Sequence, residues 1–131
     1  MGIKPVSEMV AEAKARIESI PVEEALALHG RPDVLFVDIR DVRELRREGR
    51  IPGAFHAPRG MLEFWVDPAS PYHKPELADG RKLVLFCASS WRSALAAEVL
   101  MDMGHPAVAE LAGGFTAWRA AGGPVEGPGE G

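Results

Sequence analysis

Lys82-Leu-Val-Leu-Phe-Cys87-Ala-Ser-Ser-Trp-Arg92-Ser-Ala-Leu-Ala-Ala-Glu-Val-Leu-Met-Asp-Met103 is the stretch on which the fold turns. Lys82 to Cys87 is a run of apolar and branched residues, the pattern of a strand buried on both faces. Ser93 to Met103 reads as a helix, closed by Gly104. Between them, Cys87 to Arg92 makes a six-residue loop that opens with a thiol and ends with a guanidinium. A strand-to-helix turn of this kind wraps backbone N–H groups around a point just beyond the strand, where the helix N-terminus adds positive potential. A thiol there gives up its proton more readily and reacts as thiolate. Arg92 adds a full charge and a forked set of donors for an oxyanion. Cys87 is therefore the candidate nucleophile, and Ala88, Ser89, Ser90, Trp91 and Arg92 are the candidate substrate-binding loop. Elsewhere a free cysteine is usually an inert core residue; strand end, small polar neighbours and arginine argue otherwise here. No histidine lies in the loop and Phe86 precedes the cysteine, so no general base is visible.

Composition bounds the alternatives. At 131 residues the chain is one domain with room for a single core. Its 47% hydrophobic and 26% charged content is that of a soluble globular protein. A net charge of −4, with basic residues scattered among acidic ones, gives no electrostatic surface for nucleic acid. One cysteine excludes an internal disulfide, so any sulfur intermediate on Cys87 must be resolved by another molecule. Met1 to Ser19 is charged and lacks a signal-peptide core, and no stretch approaches membrane-spanning length; a cytoplasmic protein with no membrane partner is expected. His29, His56, His73 and His105 are dispersed, so neither a metal nor a cofactor is expected.

The remaining elements alternate. Ser7 to Ser19 has helical spacing at Met9, Val10, Ala13 and Ile17, and residues 1–19 read as an N-terminal helical extension. A short helix follows from Glu23 to His29. Val34 to Val37 is a second buried strand. Asp41 with Glu44 makes a helix N-cap pattern, the helix ending near Gly49. Ile51 to His56 is a turn feeding a short strand, Gly60 to Trp65 a short helix, and Val66 to Pro75 irregular. Val108 to Leu111 is a strand, and the last helix runs from about Phe115 to Ala121. Gly122 onward reads as frayed, with residues 126–131 a flexible tail. Strand-then-helix alternation predicts an α/β fold, an open and mainly parallel sheet with helices on both faces. In such sheets ligands bind at the carboxyl ends of the strands, where Cys87 falls.

Three blocks then resemble one family. Val37-Asp-Ile-Arg-Asp41 with Glu44 and Gly49-Arg-Ile-Pro-Gly-Ala54, next Leu85-Phe-Cys-Ala-Ser-Ser-Trp-Arg-Ser-Ala94, and last Gly113-Gly-Phe-Thr-Ala-Trp118 are similar, in this order, to the signatures of the rhodanese-like sulfurtransferases. The resemblance covers roughly residues 20–125. It implies persulfide chemistry: the Cys87 thiolate takes the outer sulfur of a small anionic donor such as thiosulfate, and cyanide, a thiol or a sulfur-accepting protein removes it. A thiolate already formed needs no general base. A surface-facing thiol would also suit delivery to a partner protein.

Related phosphatases and arsenate reductases carry a loop one residue longer, and tyrosine phosphatases place a histidine before the cysteine; neither feature is present. Some members of the family are non-catalytic binding or regulatory modules, most plainly where the cysteine is replaced. This chain departs from the family at Ser90, often glycine, and at Arg50, usually histidine. If position 90 needs positive φ, serine there carries about 1–2 kcal/mol of strain. Asp38 and Arg40 read best as a structural ion pair, with Glu44 as a third member. Arg59, in the turn after His56, is open to two readings, a contact to the substrate anion or a solvated surface arginine. Trp91 is expected to wall the pocket and Trp118 to pack in the core.

Overall fold

The computed structural model describes Gly2 to Gly127. Its helices are α1 (Val6–Lys14), α2 (Val22–Leu28), α3 (Val42–Glu48), α4 (Leu62–Val66), α5 (Trp91–Asp102) and α6 (Gly114–Ala120). Its strands are β1 (Ser19–Ile20), β2 (Val34–Asp38), β3 (Phe55–His56), β4 (Lys82–Phe86) and β5 (Val108–Leu111). The strands form one parallel sheet in the order β1-β5-β4-β2-β3.

Apolar runs become buried strands because successive side chains leave opposite faces and both faces are covered. On β4, Leu83 and Leu85 enter a cluster with Leu62, Val66, Ala96, Ala97 and Leu100, which fixes α4 and α5 to that face. Val84 and Phe86 enter a second cluster with Ala25, Phe115 and Trp118, which fixes α2 and α6 to the other. The predicted layered architecture is the one observed. α1 lies outside α5, with Val10 and Ala13 packed on Ala94.

The outcome differs from the sequence expectation at both ends. α1 stops at Lys14, and Ser19 and Ile20 form β1, which pairs with Glu110 and Leu111. Ser19 thus belongs to the sheet rather than to a helical extension. At the other end, residues 122–127 are tied down: the Trp118 Nε1–H donates to Pro124 O at 2.8 Å, and Glu126 and Arg50 exchange backbone bonds at 2.9 Å in an antiparallel bridge. The tail crosses so close to Gly49 that a Cβ there would stand 1.8 Å from Gly127 O, and Gly49 holds φ +90°, which only glycine adopts freely. The rest of the expected flexible tail, 128–131, lies outside the described residues.

Polar interactions lock the carboxyl edge of the sheet. Asp41 caps α3, accepting from Arg43 N at 2.8 Å, while Glu44 accepts from Asp41 N at 3.0 Å, a reciprocal capping box. The Arg43 side chain and N–H hold the Asp41 carboxyl down to about 2, so the cap stays charged to strongly acidic pH. Glu44 does not join Asp38 and Arg40 as expected. Its carboxylate instead accepts both Arg92 terminal nitrogens, at 2.8 and 3.0 Å, linking α3 to α5. Asp38 and Arg40 pair with each other, fully buried, with Nη2 to Oδ2 at 2.8 Å and Nε to Oδ1 at 3.0 Å.

Two outcomes are expected. Asp38→Ala strands the Arg40 charge in the interior and is expected to cost about 3–5 kcal/mol, read from urea denaturation; a loss under 1 kcal/mol would contradict the ion pair's structural role. Arg92 holds the Glu44 carboxyl below its ordinary value, chiefly by hydrogen bonding and against desolvation. A depressed carboxyl contributes stability above its unfolded-state value and loses it as pH falls through the folded one. Glu44→Gln is expected to cost about 0.5–1 kcal/mol at neutral pH for this partly exposed pair. The gap should close as pH drops below about 4, measured by denaturation across a pH series.

Candidate active site

β4 delivers Cys87 to the carboxyl edge, and the thiol is only 1% exposed. The sequence placed this sulfur at the surface; the loop folds over it instead. Ser90 N–H points back at Sγ from 3.2 Å, and Sγ lies 3.6 Å from Ser93 Oγ. The loop's carbonyls turn the other way. Cys87 O accepts from Phe115 N at 2.8 Å and Ala88 O from Thr116 N at 3.0 Å, both from the start of α6. Gly114 makes that contact possible: with φ +60°, a Cβ on it would stand 2.5 Å from Cys87 O. Gly114 thus forms the floor of the loop, while Gly113 faces Ala117.

Ser90 has φ 136°, the only positive φ at a non-glycine among the described residues. Such a conformation costs on the order of 1–3 kcal/mol and persists only where surroundings enforce it. The enforcing contact is a 2.6 Å hydrogen bond from Ser90 Oγ to Glu110 Oε1. Ser93 Oγ donates to the same oxygen at 2.7 Å, and Ser19 Oγ to Oε2 at 2.7 Å. Glu110 is fully buried. β5 lies in register with β4, Leu85 opposite Glu110, which turns the carboxylate to the α5 face beneath the loop. Sequence reasoning passed over Glu110 and Ser93. The available signal was a carboxylate inside Val108-Ala-Glu-Leu111, an otherwise apolar run read as a buried strand.

The other candidates fall into two groups. Cys87, Ser90 and Arg92 interact: Arg92 is held above its ordinary pKa chiefly by the Glu44 hydrogen bond, with the Cys87 sulfur adding a smaller push. Ala88 contributes its backbone. Ser89 is exposed, and Trp91, the first residue of α5, is 49% exposed. Arg59 is placed at the same edge by its N–H to Ile39 O, 3.1 Å, just beyond β2. No hydrogen bond or ion pair among the described residues joins its side chain to Cys87. The assembled group sets the Ser90 N–H against the sulfur, with the Arg92–Glu44 pair in the first turn of the helix that follows.

Known proteins share this framework. The rhodanese-like domain family matches residues 21–121. A sulfurtransferase of Allochromatium vinosum is 35% identical over 96 residues, 73% of this chain and 81% of its own. A protein of unknown function from Rhodopseudomonas palustris, described as a possible tyrosine phosphatase, has a solved structure with a TM-score of 0.93. It is 51% identical, over 96% of this chain and 97% of that one. The polysulfide-sulfur transferase homodimer of Wolinella succinogenes gives a TM-score of 0.69 at 28% identity, over 92% and 85% of the two chains. The family match spans the capped helix α3, the cysteine loop and Gly114 beneath it, and the chain belongs to the rhodanese-like domain family.

Proposed function

We propose that the protein is a sulfurtransferase that carries sulfane sulfur on Cys87 as a persulfide. Family membership and likeness to named sulfurtransferases support a sulfurtransferase-type function. The observation that carries the finer reading is the position of Sγ, 3.2 Å from the Ser90 N–H at the N-cap of α5, the helix whose first turn carries Arg92. These groups favour negative charge on sulfur, first as thiolate and then as persulfide.

With thiosulfate, the thiolate attacks the outer sulfur, the S–S bond breaks, and sulfite leaves with the electron pair. Cys87 is then a persulfide anion. A thiolate or cyanide attacks its terminal sulfur and restores the Cys87 thiolate, so each turnover moves one sulfur atom. Arg92 and the loop positions 88–91 bind the donor's oxygens in this reading, with Arg59 a further cation at the edge. Near-complete burial of Sγ favours a small donor that presents its outer sulfur to the loop, and a protein acceptor must bring its thiol to the mouth of the loop. A binding module has no need of a thiol held in this way.

The Rhodopseudomonas palustris likeness favours a second reading, phosphate-ester hydrolysis. The six-residue span from Cys87 to Arg92 and the phenylalanine before it weigh against it, since a tetrahedral phosphate calls for a wider loop.

Incubation with thiosulfate, removal of donor and intact mass measurement should show a gain of one sulfur, lost on adding cyanide and absent in Cys87→Ser. A mass unchanged by thiosulfate and by a persulfide donor would overturn the proposal. Arg92→Ala is expected to raise the KM for thiosulfate about tenfold, equivalent to about 1.4 kcal/mol of lost binding; an unchanged KM would remove Arg92 from the donor site. Hydrolysis of p-nitrophenyl phosphate should stay at background, and turnover dependent on Cys87 would establish the second reading instead.

A further inference from the structure

Glu110 is a buried carboxylate with no cation paired to it among the described residues. Its neighbours are three hydroxyls, those of Ser90 and Ser93 on Oε1 and that of Ser19 on Oε2. A charge held so deep by neutral groups alone is costly and is kept where it does something. This one ends a hydrogen-bonded chain that begins at the nucleophile. Ser93 has one hydroxyl proton and two acceptors in range, Ser90 O at 3.2 Å and Glu110 Oε1 at 2.7 Å. The shorter, charged contact takes that proton. A lone pair of Ser93 Oγ is then left for the Cys87 S–H, 3.6 Å away.

We propose that Glu110 is the proton acceptor for the Cys87 thiol, acting through the hydroxyl of Ser93. The inference rests on Cys87 being the nucleophile of the sulfur transfer. The S–H bond breaks and an O–H bond forms at Ser93 Oγ; the original Ser93 O–H bond breaks and one forms at Glu110 Oε1. The group keeps its net charge, and the negative charge moves from the carboxylate on β5 to a sulfur met by the Ser90 N–H at the head of α5. No outside base is required, which accounts for activation in a loop without histidine. Ser90 serves the same device. Its Oγ also donates to Oε1 while its N–H meets Sγ, so the serine in the family's glycine position joins both ends of the relay.

One proton shared by two acidic groups titrates in macroscopic steps that belong to the pair. Between those steps the thiolate fraction is set by the internal balance and does not change with pH. The charged neighbours do not obscure this. Arg92 from α5 is raised and Glu44 from α3 is lowered, so both keep their charge through the neutral range. Asp38, the last residue of β2, and Arg40 just after it neutralise each other, and His56 lies on β3 at the far side of β2. β1 brings only the Ser19 hydroxyl to the carboxylate, α6 brings Gly114 and Phe115 to the loop, and α1 packs on α5 through Val10 and Ala13.

The experiment is the rate of Cys87 alkylation by iodoacetamide across pH 5 to 9, read by intact mass. The wild type should show a plateau through neutral pH. Glu110→Gln, which keeps the shape, and Ser93→Ala, which breaks the chain, should lose the plateau and rise about tenfold per pH unit. At pH 6 both should react at least tenfold more slowly than wild type. Ser19→Ala removes a partner of Glu110 outside the relay and should keep the plateau. The proposal is overturned if Glu110→Gln keeps the plateau, if it reacts faster at pH 6, or if Ser19→Ala loses the plateau equally. Should Glu110→Gln fail to fold, Ser93→Ala and infrared spectroscopy decide. In wild type at neutral pH a protonated-carboxyl band should appear in proportion to the Cys87 thiolate and vanish in Cys87→Ser; a band that survives that substitution overturns the relay. Iodoacetamide carries no sulfane sulfur, so failure of sulfur loading would strike the function proposed above and leave this result standing.

Discussion

The Asp38–Arg40 ion pair holds the working edge of the sheet together. Arg40 bonds Asp38 through Nε and Nη2, and gives Nη2 also to Gly49 O at 2.8 Å. Its own carbonyl meets His56 Nε2 at 2.8 Å. The guanidinium lies 4.1 Å from the centroid of Phe115 and 5.9 Å from that of Phe86. One residue, by its side chain and its carbonyl, therefore joins the end of β2 to the close of α3, to β3, to the start of α6 and to the last residue before Cys87. Only a planar cation can use its edge for oxygens and its face for rings in this way. A lysine would keep the charge and lose most of the junction.

With that junction set, the charges around the loop sort themselves. Arg40 pairs with Asp38 and Arg92 with Glu44, while Arg40 Nη1 lies buried without a hydrogen-bond partner among the described residues. The thiol is surrounded by partly neutralised groups and by oriented dipoles, the Ser90 N–H and the head of α5. Such a site suits a charge that forms and moves during a reaction, because fixed dipoles stabilise it without reorganising. A permanently bound anion would call for unpaired arginines.

What could be read from the chain was whatever is encoded within a few residues. β2 and β4 announced themselves as apolar runs, α3 by Asp41 and Glu44 three apart, and the loop by its lone cysteine and following arginine. Trp118 was expected in the core and is fully buried there. The unread parts depend on partners distant in sequence. β1 is two residues long and exists because β5 gives it an edge to pair with. Glu44 finds Arg92 across 48 positions, and Ser90 finds Glu110 across 20. Positive φ at position 90 could be posed as a condition from the serine-for-glycine exchange, but its support became visible only with the register that places Glu110 opposite Leu85.

The segment after α6 changes what counts as the folding unit. The family match ends at 121, yet the chain continues across the close of α3, seats Val125 against the Trp118 cluster and supplies the carbonyl that the Trp118 indole needs. A chain cut at Ala121 would keep every family signature and leave a buried indole N–H without its acceptor, with Arg50 stripped of its backbone partner. The autonomous domain is therefore longer than its recognisable motif, and a fusion joined directly after α6 would be grafted onto an unfinished wall.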